Sequence, residues 1–320
     1  MKQWIWISLL AIALWGCKHT QKETPAQKNA SCIQVLSTTA MIADIVAQVG
    51  GERVDSSVLI LGQLDPHSYE LVKGDDEKID EAAIVFYNGL NLEHGASLHC
   101  KLLKHTHSVA VGDWIWQRRP DLFLVEKGQI DPHIWMDVSM WVRIVDPIVE
   151  ALIQEDPAGR SFYEQRASFV KTRLLEFHQE FLKRMQSIPQ EKRFLVTSHD
   201  AFGYFTRCYL SSEEERYDGT WRKRFAAPEG LAPDGQLSLL DLQQILDYVR
   251  TYQVHVVFPE SNVSRDSLRK ILSACRSHQT PIRFSKEVLY GDAMGPPHSL
   301  AGSYLGMIEH NGTLLYKEWQ

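Results

Sequence analysis

The sequence predicts an α/β protein whose two βαβ lobes, each with a parallel sheet, are joined by one long helix. Three observations support this fold class. Apolar strand-like segments alternate with helix-like segments along the chain, which is typical of parallel α/β layers. An uninterrupted helical segment near the middle separates two halves that both show the alternation. The chain has 320 residues, 44% of them apolar, so it can bury more than one core.

The first seventeen residues are expected to lie outside the folded body. A basic residue precedes an apolar run from Trp4 to Trp15, and Gly16-Cys17 follows. The run is shorter than the roughly 20 residues of a membrane-spanning helix. It resembles a bacterial lipoprotein signal, which implies cleavage before Cys17 and a lipid on that cysteine. An uncleaved membrane anchor is the alternative. Residues 18–31 are polar and are predicted to form a flexible tether.

The first lobe is predicted over residues 32–158. Its first unit is an apolar strand at Ile33–Ser37, followed by apolar residues at helical spacing in Thr39–Val49. Gly50-Gly51 stops that helix. The other predicted elements are strands at Val54–Leu61, Ile84–Tyr87 and Ser108–Val111, and helices from Gly74, at Leu92–Leu103 and after the capping residue Asp137, the last kinked by Pro147.

A single helix is predicted over residues 159–188. The segment contains no proline and no internal glycine, and its aromatic and aliphatic residues are mixed with charges. At about 1.5 Å per residue it would exceed roughly 40 Å, the length of a domain. We therefore expect this helix to join the two lobes rigidly.

The alternation restarts in the second lobe, which is predicted over residues 189–320. Its predicted strands are Arg193–Thr197, His255–Phe258 and Ile282–Phe284. Its predicted helices are Ala201–Leu210, Ser238–Tyr252, Ser264–Ser277 and Leu300–His310. The polar segments Ser211–Gly235 and Gly291–Pro297 are predicted to be loops.

Three histidines are candidate metal ligands. His67 and His133 each end an Asp-Pro-His tripeptide, and His199 follows an apolar run at the point where a strand should end. Proline fixes its own φ and extends the residue before it, so each tripeptide presents its histidine from a rigid turn. A surface loop is the alternative for either histidine alone, but the repetition favours ligands.

The fourth ligand is expected to be a carboxylate of the second lobe. Ligands of parallel sheets bind beyond the carboxyl ends of the strands, and the histidines fall in such positions on both sides of the long helix. This arrangement predicts a site in the cleft between the lobes. Asp200, Glu260 and Asp292 are the candidates, and Asp292 lies between glycines that allow close approach.

Four motifs in a fixed order carry a resemblance to a known family. They are Asp65–His67, Asp131–Trp135, Val196–Phe205 and Gly291–Gly295. With these motifs the chain resembles the cluster A-I solute-binding lipoproteins of zinc, manganese and iron ABC transporters, the ZnuA/TroA-like family. Within that group it is most similar in look to the treponemal TroA and chlamydial YtgA type.

The resemblance covers the chain from about Ile33 to its end and implies one metal ion held between the two lobes. It implies His67 and His133 as ligands from the first lobe, and His199 and Asp292 from the second. It also implies a membrane permease, and through it an ATPase, as partners. We expect a monomer in the periplasm or at the outer face of the cytoplasmic membrane, which it contacts only through its lipid anchor.

The donor set bears on the identity of the ion. Many zinc-specific relatives carry a histidine-rich loop before the second ligand, whereas residues 113–130 contain no histidine. Manganese-specific relatives often have a carboxylate in the third position, where this chain has His199. Three imidazoles and one carboxylate suit Zn²⁺ and tolerate Mn²⁺ or Fe²⁺, and they disfavour Cu(I). We expect one such divalent ion per chain.

Other residues receive structural or supporting roles. Glu260 is expected to hydrogen-bond a ligating imidazole, and Trp135 to pack in the wall of the cleft. Surface positions are predicted for the four histidines between positions 94 and 107, rather than a second site. His298 and His310 lie near Asp292 in sequence, so each remains a candidate for a residue that supports a ligand or for an alternative ligand.

Composition excludes some functions and leaves others open. A net charge of −6 and a pI near 6.1 provide no basic surface for nucleic acid. Besides Cys17, the chain has four cysteines without C-x-x-C spacing, so both disulfides and buried free thiols remain possible for Cys32, Cys100, Cys208 and Cys275.

A metal-dependent hydrolase and a surface adhesin are the alternative functions. A closed set of four protein ligands favours a carrier over a hydrolase, and we predict that the protein is not an enzyme.

Overall fold

A computed structural model of the protein describes residues 32–233 and 237–320. The predicted signal segment with Cys17, the tether, and the predicted end of one loop at Gly235 lie outside the described residues. Within those residues, no helix is both long and apolar enough to cross a membrane. The predicted fold class is confirmed: two groups of parallel strands are covered by helices, and one long helix lies between them in sequence.

The first lobe is built on a four-stranded parallel sheet. Its strands are β1 (Ile33–Ser37), β2 (Val54–Val58), β3 (Ile84–Tyr87) and β4 (Ser108–Ala110), in the order β2-β1-β3-β4. The register pairs Val35 with Ser56 on one side and with Ile84 on the other. Its helices are α1 (Ala40–Gly50), α2 (Asp75–Glu81), α3 (Ala96–Lys104), α4 (Val111–Arg118), α5 (Val138–Trp141) and α6 (Val145–Glu155).

Several details of this lobe differ from the sequence prediction. The strand predicted at Val54–Leu61 ends at Val58, and the helix predicted at Leu92–Leu103 begins at Ala96. Val111 does not end a strand but begins α4, because the backbone turns at Gly112, whose N–H donates to the Asn88 carbonyl at 2.8 Å. The helix predicted after Asp137 is divided into α5, a short 3₁₀ turn and α6. Asp137 caps α5 as predicted, by accepting hydrogen bonds from Ser139 N and Met140 N. Pro147 lies in the first turn of α6, where a missing N–H costs nothing.

A short hairpin leads into the second Asp-Pro-His motif. Strands β5 (Val125–Glu126) and β6 (Gln129–Ile130) pair in antiparallel register. Lys127 and Gly128 turn the chain with φ of 49° and 82°, the left-handed conformation that both central residues of a type I′ hairpin adopt. The hairpin therefore delivers the chain directly to Asp131.

The long helix α7 runs from Arg160 to Gln186, close to the predicted 159–188. It buries one face, formed by Tyr163, Ala167, Val170, Leu174, Phe181 and Met185. That spacing of three, four or seven residues keeps the apolar side chains on one side of the helix. Through this face α7 packs on α1 and α6 of the first lobe and on the last helix of the second lobe.

The second lobe has four very short parallel strands. They are β7 (Leu195–Val196), β8 (Phe225–Ala226), β9 (Val256–Val257) and β10 (Arg283–Phe284). β7 pairs with β8, β9 pairs with β10, and Phe258 N donates to Val196 O at 2.9 Å between the two pairs. The helices are α8 (Gly203–Phe205), α9 (Glu213–Asp218), α10 (Leu239–Thr251), α11 (Asp266–Ser277) and α12 (Tyr304–Trp319).

Three expectations for this lobe were wrong. The predicted helix Ala201–Leu210 is a single α-helical turn followed by a π-helical turn at Thr206–Leu210. The predicted loop after Ser211 contains α9 and β8. The last helix begins at Tyr304 rather than Leu300, because Ser303 caps it by accepting from Gly306 N.

The four cysteines within the described segments are free thiols. Cys275 is buried, Cys100 is exposed, and Cys32 and Cys208 are intermediate. Of the two alternatives left open by the sequence, the structure therefore has free thiols rather than disulfides, although only Cys275 is fully buried.

Candidate metal centre

Four side chains from four separate loops converge at one point. They are His67, His133, His199 and Asp292, and each offers a ligand atom that lies within 4.8 Å of the other three. Their side chains are 3%, 0%, 0% and 0% exposed, respectively. The structure therefore brings together all four ligands that the sequence predicted.

The first Asp-Pro-His motif forms a local turn that fixes His67. Asp65 Oδ1 accepts a hydrogen bond from His67 N at 2.9 Å, and Asp65 Oδ2 accepts one from Ser68 Oγ at 2.5 Å. The turn aims His67 Nε2 at His133 Nε2, 3.2 Å away. Nitrogen ligands of one tetrahedral zinc ion are separated by about 3.3 Å, given Zn–N bonds of about 2.0–2.1 Å.

The second motif fixes both the backbone and the ring of His133. Asp131 Oδ1 accepts from His133 N at 2.9 Å and lies 2.7 Å from His133 Nδ1. A carboxylate at Nδ1 places the ring hydrogen there and leaves Nε2 free to bind a metal. That Nε2 atom lies 3.5 Å from Asp292 Oδ1.

His199 follows β7 and is held in the same way by Glu260, which follows β9. Glu260 Oε1 accepts from Ser198 N and His199 N, both at 2.9 Å. Glu260 Oε2 lies 2.8 Å from His199 Nδ1, while His199 Nε2 lies 3.1 Å from Asp292 Oδ2. Glu260 thus occupies the position expected of a residue that orients a ligating imidazole.

Asp292 comes from the loop after the bridge between Glu260 and Leu289. A side chain at the preceding Gly291 would collide with Glu260 Oε2, so this loop can approach His199 only with glycine at that position. Asn262 Nδ2 donates to Asp292 Oδ2 at 3.1 Å. Asp292 Oδ1 is buried and receives no hydrogen bond from any residue in the described segments. A buried carboxylate oxygen without a donor is satisfied by a cation.

Trp135 connects the loops of the two lobes beside the four candidate ligands. Its ring centroid lies 5.2 Å from that of His133, and its Nε1 donates to Gly291 O at 2.8 Å. Tyr304 Oη donates to Trp135 O at 2.8 Å. Trp135 is therefore packed in the wall of the site and fixes the His133 loop against the Asp292 loop.

Comparison with known proteins identifies the family of this chain. The family model described as "Zinc-uptake complex component A periplasmic" (ZnuA) matches residues 35–318. This chain belongs to the ZnuA family. Its relatives in that family are similar over almost their whole length, in sequence and in fold.

The metal-binding protein YtgA of Chlamydia trachomatis is 38% identical over 303 residues, covering 95% of this chain and 90% of YtgA. A manganese ABC transporter substrate-binding lipoprotein, PsaA of Streptococcus pneumoniae, is 26% identical over 318 residues, covering 95% and 94%. The crystal structure of Fe(III)-bound YtgA superposes with a TM-score of 0.84 over 90% of this chain and 98% of that one. The periplasmic zinc-binding protein TroA from Treponema pallidum is 28% identical, with a TM-score of 0.80 over 90% and 99%.

Burial and charge set the protonation of the four candidate ligands in this ZnuA-family chain. Burial disfavours the imidazolium and lowers the pKa of His67 to about 3 and that of His133 to about 4. Burial acts in the same direction on His199, but the adjacent Asp292 and Glu260 outweigh it and raise the His199 pKa well above its usual value. Burial also opposes ionisation of Asp292, yet the imidazoles, His199 foremost, hold its pKa well below the usual range. The site therefore favours an ionised Asp292.

The other candidate residues lie outside this group of ligand atoms. His298 is exposed, and His310 Nε2 contacts Val288 O at 2.9 Å. Asp200 is not part of the cluster and lines a cavity of about 310 Å³ that Asp131 also lines. His94 is half-exposed, and its ring centroid lies 5.8 Å from that of His67.

The sequence analysis missed two residues that contact the site. Asp131 was used only as part of a rigid turn, although it lies against the His133 ring. Its position two residues before a candidate ligand could have indicated that contact. Asn262 gave no sequence signal, because its contact with Asp292 joins loops 30 residues apart.

Proposed function

We propose that this chain is an extracytoplasmic solute-binding protein that captures one divalent transition metal ion and delivers it to the permease of an ABC transporter. The observation that carries the proposal is the group of four buried ligand atoms within 4.8 Å of one another. The relatives of this chain include a protein described as a manganese ABC transporter substrate-binding lipoprotein. On this proposal, His67, His133, His199 and Asp292 bind the ion.

The donor chemistry favours a borderline cation. Three imidazole nitrogens and one carboxylate suit Zn²⁺ in tetrahedral geometry and tolerate Mn²⁺ or Fe²⁺. The similar proteins are described with zinc, manganese and iron(III). A binding test therefore includes Zn²⁺, Mn²⁺, Fe²⁺ and Fe³⁺.

The enclosure of the site favours a carrier over a metal-dependent hydrolase. A catalytic metal keeps a position open for water and substrate. The cavity that touches Asp292 measures about 10 Å³, which is too small for an organic substrate. Four protein ligands and no space for a substrate fit an ion that is cargo.

Binding is tested by elemental analysis and isothermal titration of protein purified without added metal. We expect one tightly bound ion per chain. Alanine at His67, His133, His199 or Asp292 is expected to weaken binding by a large factor while leaving the far-UV circular dichroism unchanged. His298→Ala is the matched control, because His298 is exposed and lies six residues from Asp292. Two equivalent tight ions, or an unchanged affinity in His199→Ala or Asp292→Ala, would contradict the assignment.

The proposal includes a lipid anchor at Cys17 and action as a monomer on the outer side of the cytoplasmic membrane. Gly16-Cys17 after a short apolar run supports the anchor. Cys17→Ala is expected to release a folded, metal-binding protein from the membrane fraction. If that variant remains in the membrane after a salt wash, the uncleaved helix is the better explanation.

A further inference from the structure

His67 is the ligand closest to solvent, and a fourth histidine, His94, lies beside it. The His67 side chain is 3% exposed, whereas the other three ligand side chains have none of their surface exposed. The ring of His94, which is half-exposed, has its centroid 5.8 Å from that of His67. The three ligating rings are separated by 5.2 to 6.1 Å. His94 is therefore as close to His67 as the ligands are to one another.

The His94 ring keeps one nitrogen free to bind a cation. Its Nδ1 lies 3.2 Å from the carbonyl oxygen of Asn91. A carbonyl can only accept, so the ring hydrogen lies on Nδ1 in this contact and Nε2 keeps its lone pair. The carboxylates beside Nδ1 of His133 and His199 likewise favour a hydrogen on Nδ1 of each ring.

The loop before His94 has a strained backbone. Gly89, Leu90 and Asn91 have φ of 71°, 56° and 63°, and two of them carry side chains that disfavour this region. The buried Glu93 carboxylate holds the loop by accepting from Thr38 Oγ1 at 2.7 Å and from the N–H groups of Asn88 and Gly89 at 2.8 and 3.1 Å. Strain of this kind persists where the surroundings over-determine the conformation, and it is concentrated at functional sites.

The segment after His94 is fixed against the His67 turn. Glu70 accepts hydrogen bonds from Ala96 N at 2.7 Å and Ser97 N at 2.8 Å. A side chain at Gly95 would collide with the carbonyl oxygen of Tyr69, so the two segments are in close backbone contact. The distance between His94 and His67 is thus fixed by the backbone contacts of the segments before and after His94.

We propose that His94 is a transient ligand, which binds an incoming metal ion together with His67 before the ion reaches the four buried ligands. This inference rests on the proposed metal-carrier function. His94 is outside the final set of ligands. For that reason it lowers the free-energy barrier between free and bound metal and leaves the free energies of those two states unchanged. It therefore speeds capture and release by the same factor.

The test measures both rate constants by stopped-flow, with Zn²⁺ and a chromophoric chelator as the competing ligand. His94→Ala is expected to lower the association and dissociation rate constants equally, by about tenfold, the low end of the range that related complexes span. Its equilibrium affinity should match that of the wild type. His94→Glu, which restores a metal-binding side chain, is expected to recover much of the lost rate.

His99→Ala is the matched control, because His99 is exposed on α3 and its Nδ1 also contacts a backbone carbonyl, that of Glu93, at 3.3 Å. Its rates should equal those of the wild type. Unchanged rates in His94→Ala, with tight wild-type binding, would overturn this inference alone. Weaker affinity through faster dissociation would make His94 a fifth permanent ligand and also overturn it. A wild type that binds no metal would overturn the proposed function as well.

Discussion

Replacing Glu260 with glutamine is expected to place a hydrogen on the wrong nitrogen of His199. The two carboxylate oxygens of Glu260 have different partners: Oε1 accepts from two backbone N–H groups at 2.9 Å, and Oε2 lies 2.8 Å from His199 Nδ1. In Glu260→Gln the amide oxygen must accept from the backbone, which turns the amide NH₂ towards Nδ1. An NH₂ group can only donate, so Nδ1 must become the acceptor and the hydrogen moves to Nε2. Nε2 is the atom that faces Asp292.

This change should weaken metal binding about a hundredfold. Loss of a partner that orients a ligand typically costs about 10–100-fold in affinity, and a forced tautomer falls at the upper end. A hundredfold loss corresponds to about 2.8 kcal/mol of binding free energy, at about 1.4 kcal/mol per factor of ten. Isothermal titration with Zn²⁺ measures the affinity, and nitrogen NMR of the His199 ring reports its tautomer.

A matched control is available in the same lobe. Glu318 is a half-buried carboxylate that also accepts a backbone N–H, from Lys286 at 3.0 Å, and it pairs with Arg283. Glu318→Gln should leave metal affinity unchanged, because neither Lys286 nor Arg283 is a proposed ligand. A Glu260→Gln affinity within about twofold of the wild type would refute the orienting role, since that role requires at least about tenfold.

Two further predictions concern pH. Metal affinity should fall between about pH 7 and 5, because His199, whose pKa is raised well above its usual value, must lose a proton before its Nε2 can bind the ion. His67 and His133, with pKa values of about 3 and 4, are already neutral there. Titration at both pH values tests this. Burial opposes ionisation of Glu215, but hydrogen bonds from Arg224, Ser212 and Lys223 lower its pKa from 4.5 to about 2. A lowered folded-state pKa contributes stability above pH 4.5 that is lost as the pH falls towards 2. Glu215→Gln should therefore lower the free energy of unfolding by about 3 kcal/mol at pH 7, and urea unfolding should show this difference shrinking below pH 4.5.

The parts of the fold that the sequence predicted are those with strong local signals. The 27 residues of α7 contain no helix breaker, and the apolar run of β1 is followed directly by helical spacing that ends at a glycine pair. His67, His133 and His199 could be proposed as partners because each follows a strand or a rigid turn, positions that parallel sheets bring to one edge.

The helix α9 and the bounds of the strands β7 to β10 could not be predicted, because they depend on contacts between residues distant in sequence or on weak local signals. The helix α9 has six residues, and a buried ion pair between Glu215 and Arg224 holds it to the following turn. Its one local signal is the capping box of Ser212 and Glu215, where each side chain accepts from the other's backbone N–H. The strands β7 to β10 have two residues each, so their ends are fixed by pairing and not by any pattern of side chains.

The two Asp-Pro-His motifs have the same sequence but different contacts, which the sequence alone could not reveal. In both motifs the aspartate Oδ1 accepts from the histidine N at 2.9 Å. In the second motif the same oxygen also lies 2.7 Å from His133 Nδ1, whereas in the first the other oxygen, Asp65 Oδ2, binds Ser68 Oγ. Only Asp131 therefore orients the ring of its histidine.

This difference predicts an order of effects among three conservative substitutions. Asp131→Asn should cost less affinity than Glu260→Gln, because one oxygen of Asp131 serves both contacts and the amide oxygen can replace it without reversing the His133 tautomer. Asp65→Asn should cost least, since Asp65 does not contact the ring of His67. Titration of the three variants with Zn²⁺ measures the order. Equal losses of affinity in Asp131→Asn and Glu260→Gln would show that the charge of the carboxylate, and not the tautomer of the histidine ring, determines the loss.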